Sequence, residues 1–160
     1  MEEQSLAAEP AIAYGKNSYA DVLFMLHTMP ISQDVKEKVG RRLILEVTGE
    51  NLSRTFLKLD HLLTLERNWD GYGALPVSRK VINNVKQVLG ISDDDDWKYW
   101  VVGPEPNATL CLVSKKNRAS ISVGENEYSY YSLIGGKEEG GNHIPFSPKS
   151  ILALMQRMSR

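Results

Sequence analysis

Residues 108–134, ATLCLVSKKNRASISVGENEYSYYSLI, contain three strand-like runs separated by two short polar turns. The runs are Ala108–Ser114, Arg118–Val123 and Glu127–Ile134. Their β-branched and aromatic residues favour extended backbone. The turns Lys115–Asn117 and Gly124–Asn126 are too short for a crossover connection, so neighbouring strands must be antiparallel. The sequence therefore predicts an antiparallel meander.

Helical patterns lie on both sides of this meander. Apolar side chains recur every three or four residues over Leu52–Glu66 and again over Ser78–Leu89, which is the spacing of one helical face. Near the end of the chain, Ser147 is a candidate N-cap with Pro148 at the first helical position. We expect these helices to cover one face of the sheet, because three strands alone cannot bury a core.

Two weaker strand signals flank the meander. Trp97–Val102 has the composition of an earlier strand, and His143–Phe146 is a candidate for a return to the sheet edge. The glycine-rich stretch of residues 135–142 is expected to be a mobile hairpin tip. The resulting fold class is a two-layer α+β domain, with an antiparallel sheet of about four strands packed by helices.

Three parts are predicted along the chain. Residues 1–18 lack any hydrophobic period and predict a flexible arm. Residues 19–50 predict an N-terminal helical extension, and residues 51–160 the α+β domain.

The composition excludes several classes of protein. The 160 residues include 19 basic and 20 acidic side chains, a formal charge of −1, which argues against an electrostatic nucleic-acid binder and against a polybasic membrane partner. A single cysteine, Cys111, excludes an intramolecular disulfide framework. Early glutamates and the absence of a long apolar run predict neither a secretory signal nor a membrane span. We expect a cytoplasmic protein.

The string NWDGYGA, residues 68–74, lies between the two predicted helices and is followed by Pro76 and Ser78. This arrangement resembles a family of small, largely uncharacterised bacterial proteins with an N-W-D-G-Y-G-A turn between two helices and an antiparallel sheet afterwards. The likeness extends over Leu52–Leu133 and includes the proline-containing turn near Pro104. It implies the fold and a bacterial source, but no catalytic residues. Cys111–Val113 departs from the family pattern, which often has glutamate and tryptophan there.

Trp69, Asp70 and Tyr72 of this turn have two interpretations. In the structural one, the aromatic rings fill the gap between helices and sheet, while Asp70 accepts hydrogen bonds from the backbone of its own turn. In the functional one, the three side chains form a recognition corner, because aromatic and charged loop residues are typical of binding hot spots.

Catalytic and metal-binding patterns are weak. Four consecutive aspartates, Asp93–Asp96, lack the alternate spacing of a calcium loop, so we expect a solvated acidic loop. No phosphate-loop or zinc-ligand spacing is present, which predicts no cofactor and no metal. Cys111 and His143 are the one candidate pair for a small hydrolase or thiol enzyme.

A basic turn beside aromatic residues keeps a third function open. Single-stranded nucleic acid is bound by stacking aromatics with cations nearby, and the candidate residues are Lys115, Lys116, Arg118, Tyr128 and Tyr130. The first hypothesis is nevertheless a non-catalytic protein-interaction or regulatory module of a bacterial operon, associated with a toxin or mobile element. It implies a protein partner or self-association. The thiol enzyme and the nucleic-acid binder are the alternatives.

Overall fold

The computed structural model describes residues 49–160, together with residues 28, 30, 32–34 and 36. The predicted arm, residues 1–18, lies outside the described residues, as does most of the predicted helical extension. Of the six described residues before position 49, those at 28, 33, 34 and 36 are helical.

Residues 49–160 form three α-helices, one short 3₁₀ helix and five strands. The helices are α1 (Glu50–Leu62), α2 (Arg79–Gly90) and α3 (Pro148–Met158), and the 3₁₀ helix is Asp94–Trp97. The strands are β1 (Trp100–Pro104), β2 (Leu110–Ser114), β3 (Arg118–Val123), β4 (Glu127–Ile134) and β5 (Lys137–Pro145).

The strands form one antiparallel sheet in the order β1-β2-β3-β4-β5. This confirms the predicted α+β class and the predicted meander, although the sheet has five strands instead of about four. Ser147 and Pro148 begin α3 as expected, and the Ser147 hydroxyl accepts a hydrogen bond from the N–H of Ser150. The helix predicted over Leu52–Glu66 ends earlier, at Leu62.

The fifth strand corrects the prediction of a mobile tip at residues 135–142. Only Gly135 and Gly136 form the turn, with φ of 59° and 76°, as a two-residue hairpin requires. The next glycines belong to β5. A Cβ atom on Gly141 would lie 2.8 Å from the Tyr130 ring, so glycine is needed there for close packing and not for mobility.

Alternation along the strands divides the sheet into two faces. On the inner face, Val102, Leu112 and Ile121 are paired in register across β1, β2 and β3, and all three are buried. Their side chains join one hydrophobic core with the apolar stripes of the three helices. On the outer face, Val101, Val113 and the strand residues in register with them are exposed or half-buried. The helices therefore form a layer on the inner face.

The C-terminal end of α3 is held against the sheet by three hydrogen bonds. The buried Trp100 indole donates to the Ser159 hydroxyl over 2.8 Å. From the β2–β3 turn, Lys116 Nζ donates to the Ser159 carbonyl and Asn117 Nδ2 to the Met158 carbonyl, each over 2.7 Å. The Lys116 and Asn117 donors satisfy carbonyls that the end of a helix otherwise leaves without partners.

The acidic run, residues 93–96, is not simply a solvated loop. Asp94 accepts hydrogen bonds from the Leu52 N–H over 2.9 Å and from Asn51 Nδ2 over 2.8 Å, so its carboxylate lies at the beginning of α1. Gly49 precedes that helix and has no side chain to cap it. Asp94 therefore acts as a long-range N-cap, an anion at the positive end of a helix.

We predict that Asp94→Ala lowers the free energy of unfolding by about 1–2 kcal/mol, because it removes this cap. The matched control is Asp95→Ala, since Asp95 is exposed in the same 3₁₀ helix. Its effect should stay within about 0.5 kcal/mol. Urea unfolding followed by circular dichroism measures both. Equal losses in the two variants would contradict the capping role of Asp94.

Candidate recognition site

Residues 68–74, here named the corner, form a tight loop between α1 and α2. Asn68, Gly71 and Gly73 have left-handed backbone, with φ of 66°, 78° and 92°. Two glycines and an asparagine are the residues that adopt this conformation at least cost, so the local sequence dictates the loop. The Asn68 N–H donates to the Ala74 carbonyl over 2.7 Å and closes it.

Side-chain oxygens organise the inside of the corner. Asp70 Oδ1 accepts hydrogen bonds from the Tyr72 N–H over 2.8 Å and from the Ala74 N–H over 3.1 Å. Asn68 Oδ1 accepts one from the Gly73 N–H over 2.7 Å. The prediction that Asp70 binds the backbone of its own turn is therefore confirmed. These bonds hold the corner in one conformation without help from distant residues.

The corner is also attached to the loop between β1 and β2. The Leu75 N–H donates to the Pro106 carbonyl over 2.8 Å, and Leu75 and Asn107 form an isolated bridge. Farther along, the Ser78 N–H donates to the Ala108 carbonyl over 3.0 Å. The proline-containing loop thus fixes the direction in which the corner projects.

The two aromatic rings of the corner differ in their surroundings. Trp69 is half-buried, and its indole donates to the Leu75 carbonyl over 2.9 Å. Tyr72 is 95 % exposed. The expectation that both rings fill a gap between helices and sheet is therefore wrong for Tyr72. The Tyr72 ring therefore contributes little to the packing of the fold and is accessible from solvent at the tip of a fixed loop.

The backbone hydrogen bonds of the corner lower the pKa of the Asp70 carboxyl. The Tyr72 N–H is the main cause that holds the pKa of Asp70 below its ordinary value of 3.8, and the Ala74 N–H adds to this, while partial burial opposes it. Because the pKa of Asp70 is lower in the folded state than in the unfolded state, the ionised carboxylate stabilises the fold above pH 3.8. This stabilisation is lost as the pH falls through the lower pKa of the folded state.

We predict that the Asp70 carboxyl titrates below pH 3.8 in a ¹³C NMR experiment on the folded protein. Asp70→Asn is the matched control, because the amide oxygen still accepts hydrogen bonds but does not titrate. Below pH 3.8 the wild type should lose stability relative to this variant. Titration at or above 3.8 would contradict the hydrogen bonds described here.

Cys111 and His143 are not brought together. Cys111 lies on β2 and His143 on β5, so β3 and β4 separate them, about 14 Å at the usual strand spacing. The His143 ring is instead an exposed neighbour of Glu127, with Nδ1 2.8 Å from Oε1. Burial, and secondarily the charge of Glu105, raise the pKa of Cys111 to about 11. Among the described residues, His143 is therefore not placed to act as a base for Cys111, and the raised pKa keeps the Cys111 thiol protonated near neutral pH.

We predict that Cys111 reacts slowly with iodoacetamide at pH 8 in the folded protein and at least about tenfold faster in urea, because unfolding restores an ordinary thiol pKa. Glu105→Gln should accelerate the folded-state reaction modestly, since it removes the second cause of the shift. Mass spectrometry of the alkylated protein measures the rates. Equal rates in the folded and unfolded states would contradict the prediction.

The residues predicted as a nucleic-acid face do not share a surface. Tyr128 is buried and Tyr130 half-buried on the inner face, where the Tyr130 hydroxyl donates to Glu139 over 3.1 Å. Lys116 is bonded at the end of α3. Lys115 and Arg118 are exposed and follow the outer-face alternation of β2 and β3. Because side chains alternate along β4, Tyr131 lies on the opposite face from Tyr128 and Tyr130, but alternation alone does not show which face meets the helices.

Sequence reasoning missed a polar cluster on the outer face. Glu105 Oε2 accepts hydrogen bonds from the hydroxyls of Thr109, over 2.6 Å, and Ser122, over 2.5 Å. Glu105 and Thr109 belong to the β1–β2 loop and Ser122 to β3, so Ser122 meets Glu105 only because of the register in which the strands pair. Among residues 49–160 and the few described before them, no group of three or more His, Cys, Asp or Glu side chains could hold a metal ion.

Comparison of the chain with protein-family models, curated proteins and solved structures finds no match. Within the part of the chain that the structure describes, none of the helices combines the length and the apolar character needed to cross a bilayer.

Proposed function

We propose that the protein is a non-catalytic protein-interaction module that presents Tyr72 to a partner. The observation that carries this proposal is the 95 % exposure of the Tyr72 side chain on a loop whose backbone is held by internal hydrogen bonds. Tyrosine is among the residues that contribute most to binding free energy at protein interfaces.

The rigidity of the corner supports a recognition role. A side chain with two rotatable bonds on an already ordered loop loses little conformational entropy when it binds. The side-chain oxygens of Asp70 and Asn68 accept hydrogen bonds from the backbone of the corner, and these bonds keep the loop ordered before a partner binds. Binding free energy is then available for the contact itself.

The surroundings of Tyr72 fit a protein partner. Leu75 is 43 % exposed, and Pro76 beside it is exposed as well. The exposed phenol ring and the exposed aliphatic side chains that follow it in the chain offer apolar area with one hydrogen-bonding group, which is the usual chemistry of the centre of a protein interface. The resemblance of residues 52–133 to small bacterial proteins extends the proposal to a bacterial operon, with a toxin or mobile-element protein as the partner class.

Site-specific photo-crosslinking tests the proposal. We predict that p-benzoylphenylalanine incorporated at position 72 forms one dominant adduct with a partner in native-host cells, because the ring at that position lies in the interface. The control places the same group at Lys58, an exposed residue of α1. Mass spectrometry identifies the adduct.

Two substitutions distinguish the contribution of the Tyr72 ring to partner binding from any contribution to the stability of the fold. Tyr72→Phe should retain partner binding within a few-fold, whereas Tyr72→Ala should weaken it by about 2 kcal/mol, a typical loss for an aromatic hot spot. Neither should change the thermal unfolding midpoint, since the side chain is 95 % exposed. The same adducts from positions 58 and 72, or none from position 72, would overturn the proposal.

A further inference from the structure

The outer face of the sheet is uncharged in its middle and oppositely charged at its two ends. Val101, Val113, Ser120 and Tyr131 lie in register across β1 to β4, and Val101, Val113 and Tyr131 are 37 %, 42 % and 43 % exposed. The adjacent row, Gly103, Cys111, Ser122 and Ser129, consists of small side chains. Small residues in the middle of a sheet allow a second layer to approach to the usual sheet separation of about 10 Å.

One end of this face is acidic. Glu105 lies there, bonded to the hydroxyl of Ser122. Glu127 begins β4 at the same end and is exposed apart from its contact with His143. Two carboxylates, about three strand spacings apart, therefore border the uncharged rows.

The opposite end is basic. Arg118 begins β3 and faces the same way as Ser120. Lys115 comes directly after β2 and, two residues beyond Val113, faces the same way as Val113. Both are exposed, and no ion pair joins either to a carboxylate among the described residues. Glu138 is the acidic residue of this end; it lies on the edge strand β5, two strands from Arg118 in the shared register.

We propose that this outer face binds a second copy of the same chain. A face with one acidic and one basic end is complementary to itself when a two-fold axis lies in the interface and runs across the strands. That rotation reverses the strand direction, so Lys115 and Arg118 of one copy oppose Glu105 and Glu127 of the other. An axis along the strands would instead place like charges together, and the charges therefore select one arrangement.

The area is sufficient for a weak, specific dimer. Five strands at the usual spacing and about six residues in length give roughly 500 Å² per copy, or about 1,000 Å² in total. This is near the lower limit for a specific interface, so the equilibrium should depend on protein concentration over about 1–100 µM. The proposal does not depend on Tyr72, which lies in the corner outside the sheet.

Sedimentation velocity of the full chain tests the proposal through charge reversal. Lys115→Glu with Arg118→Glu makes both ends acidic, and Glu105→Lys with Glu127→Lys makes both ends basic. Each double variant alone should dimerise at least about tenfold more weakly than the wild type, because like charges then meet at both ends. An equimolar mixture of the two should form a heterodimer, since opposite charges meet again.

The control carries the charge change of the acidic variant on the helical layer instead of the outer face. Lys58→Glu with Lys149→Glu alters exposed positions of α1 and α3 and should dimerise like the wild type. Circular dichroism confirms folding. If the loss of the Glu105 bonds unfolds the basic variant, Glu127→Lys alone replaces it; this change leaves one lysine and one glutamate at that end, and it should still form a heterodimer with the acidic variant more strongly than the acidic variant dimerises with itself. A wild type that stays monomeric at about 100 µM, a mixture without heterodimer, or equal weakening in the control would overturn the proposal. The crosslinking experiment at position 72 tests the recognition role of the corner, whereas sedimentation velocity tests the dimer. Either proposal can therefore be overturned while the other stands.

Discussion

Burial of one face of the meander against three helices is the interaction on which the other features depend. Trp100, Leu112 and Ile121 have no exposed surface, and each faces the helical layer because its strand alternates every second residue. Apolar burial of this kind supplies most of the free energy that opposes chain entropy. Because these strand residues point into the core, the strand residues that alternate with them point to the outer face.

The corner and the outer face are built in different ways. The corner uses hydrogen bonds between residues at most six positions apart, so Asn68, Asp70 and the two glycines specify it locally. The outer face exists only through pairing: Glu105 meets Ser122 because β1, β2 and β3 are in register. A local loop tolerates substitutions elsewhere in the chain, whereas a register-dependent surface changes with any slip of a strand.

This difference explains how much of the structure could be predicted. The strands of the meander and the Ser147 cap of α3 follow from local signals, and the structure confirms them. The pattern of Tyr128, Tyr130 and Tyr131 predicts two sides but not which one is buried, because that depends on where the helices pack. Of β5, the sequence predicts only the end, at His143–Phe146, since Gly140 and Gly141 have low strand propensity and are accommodated by the neighbouring Tyr130. The turn pattern alone left open whether Tyr72 packs in the fold or projects into water, because that depends on where the loop lies relative to the helices and the sheet.

The distance in sequence between Asp94 and the helix that it caps has a consequence for folding. The bond from the Leu52 N–H to this carboxylate joins residues 42 positions apart, so the first turn of α1 lacks its cap until the chain through the 3₁₀ helix has assembled. A 13-residue helix is marginal in isolation. Helix formation in α1 and docking of the segment that leads into the sheet are therefore coupled, which favours one cooperative unfolding unit over a separately fraying helix.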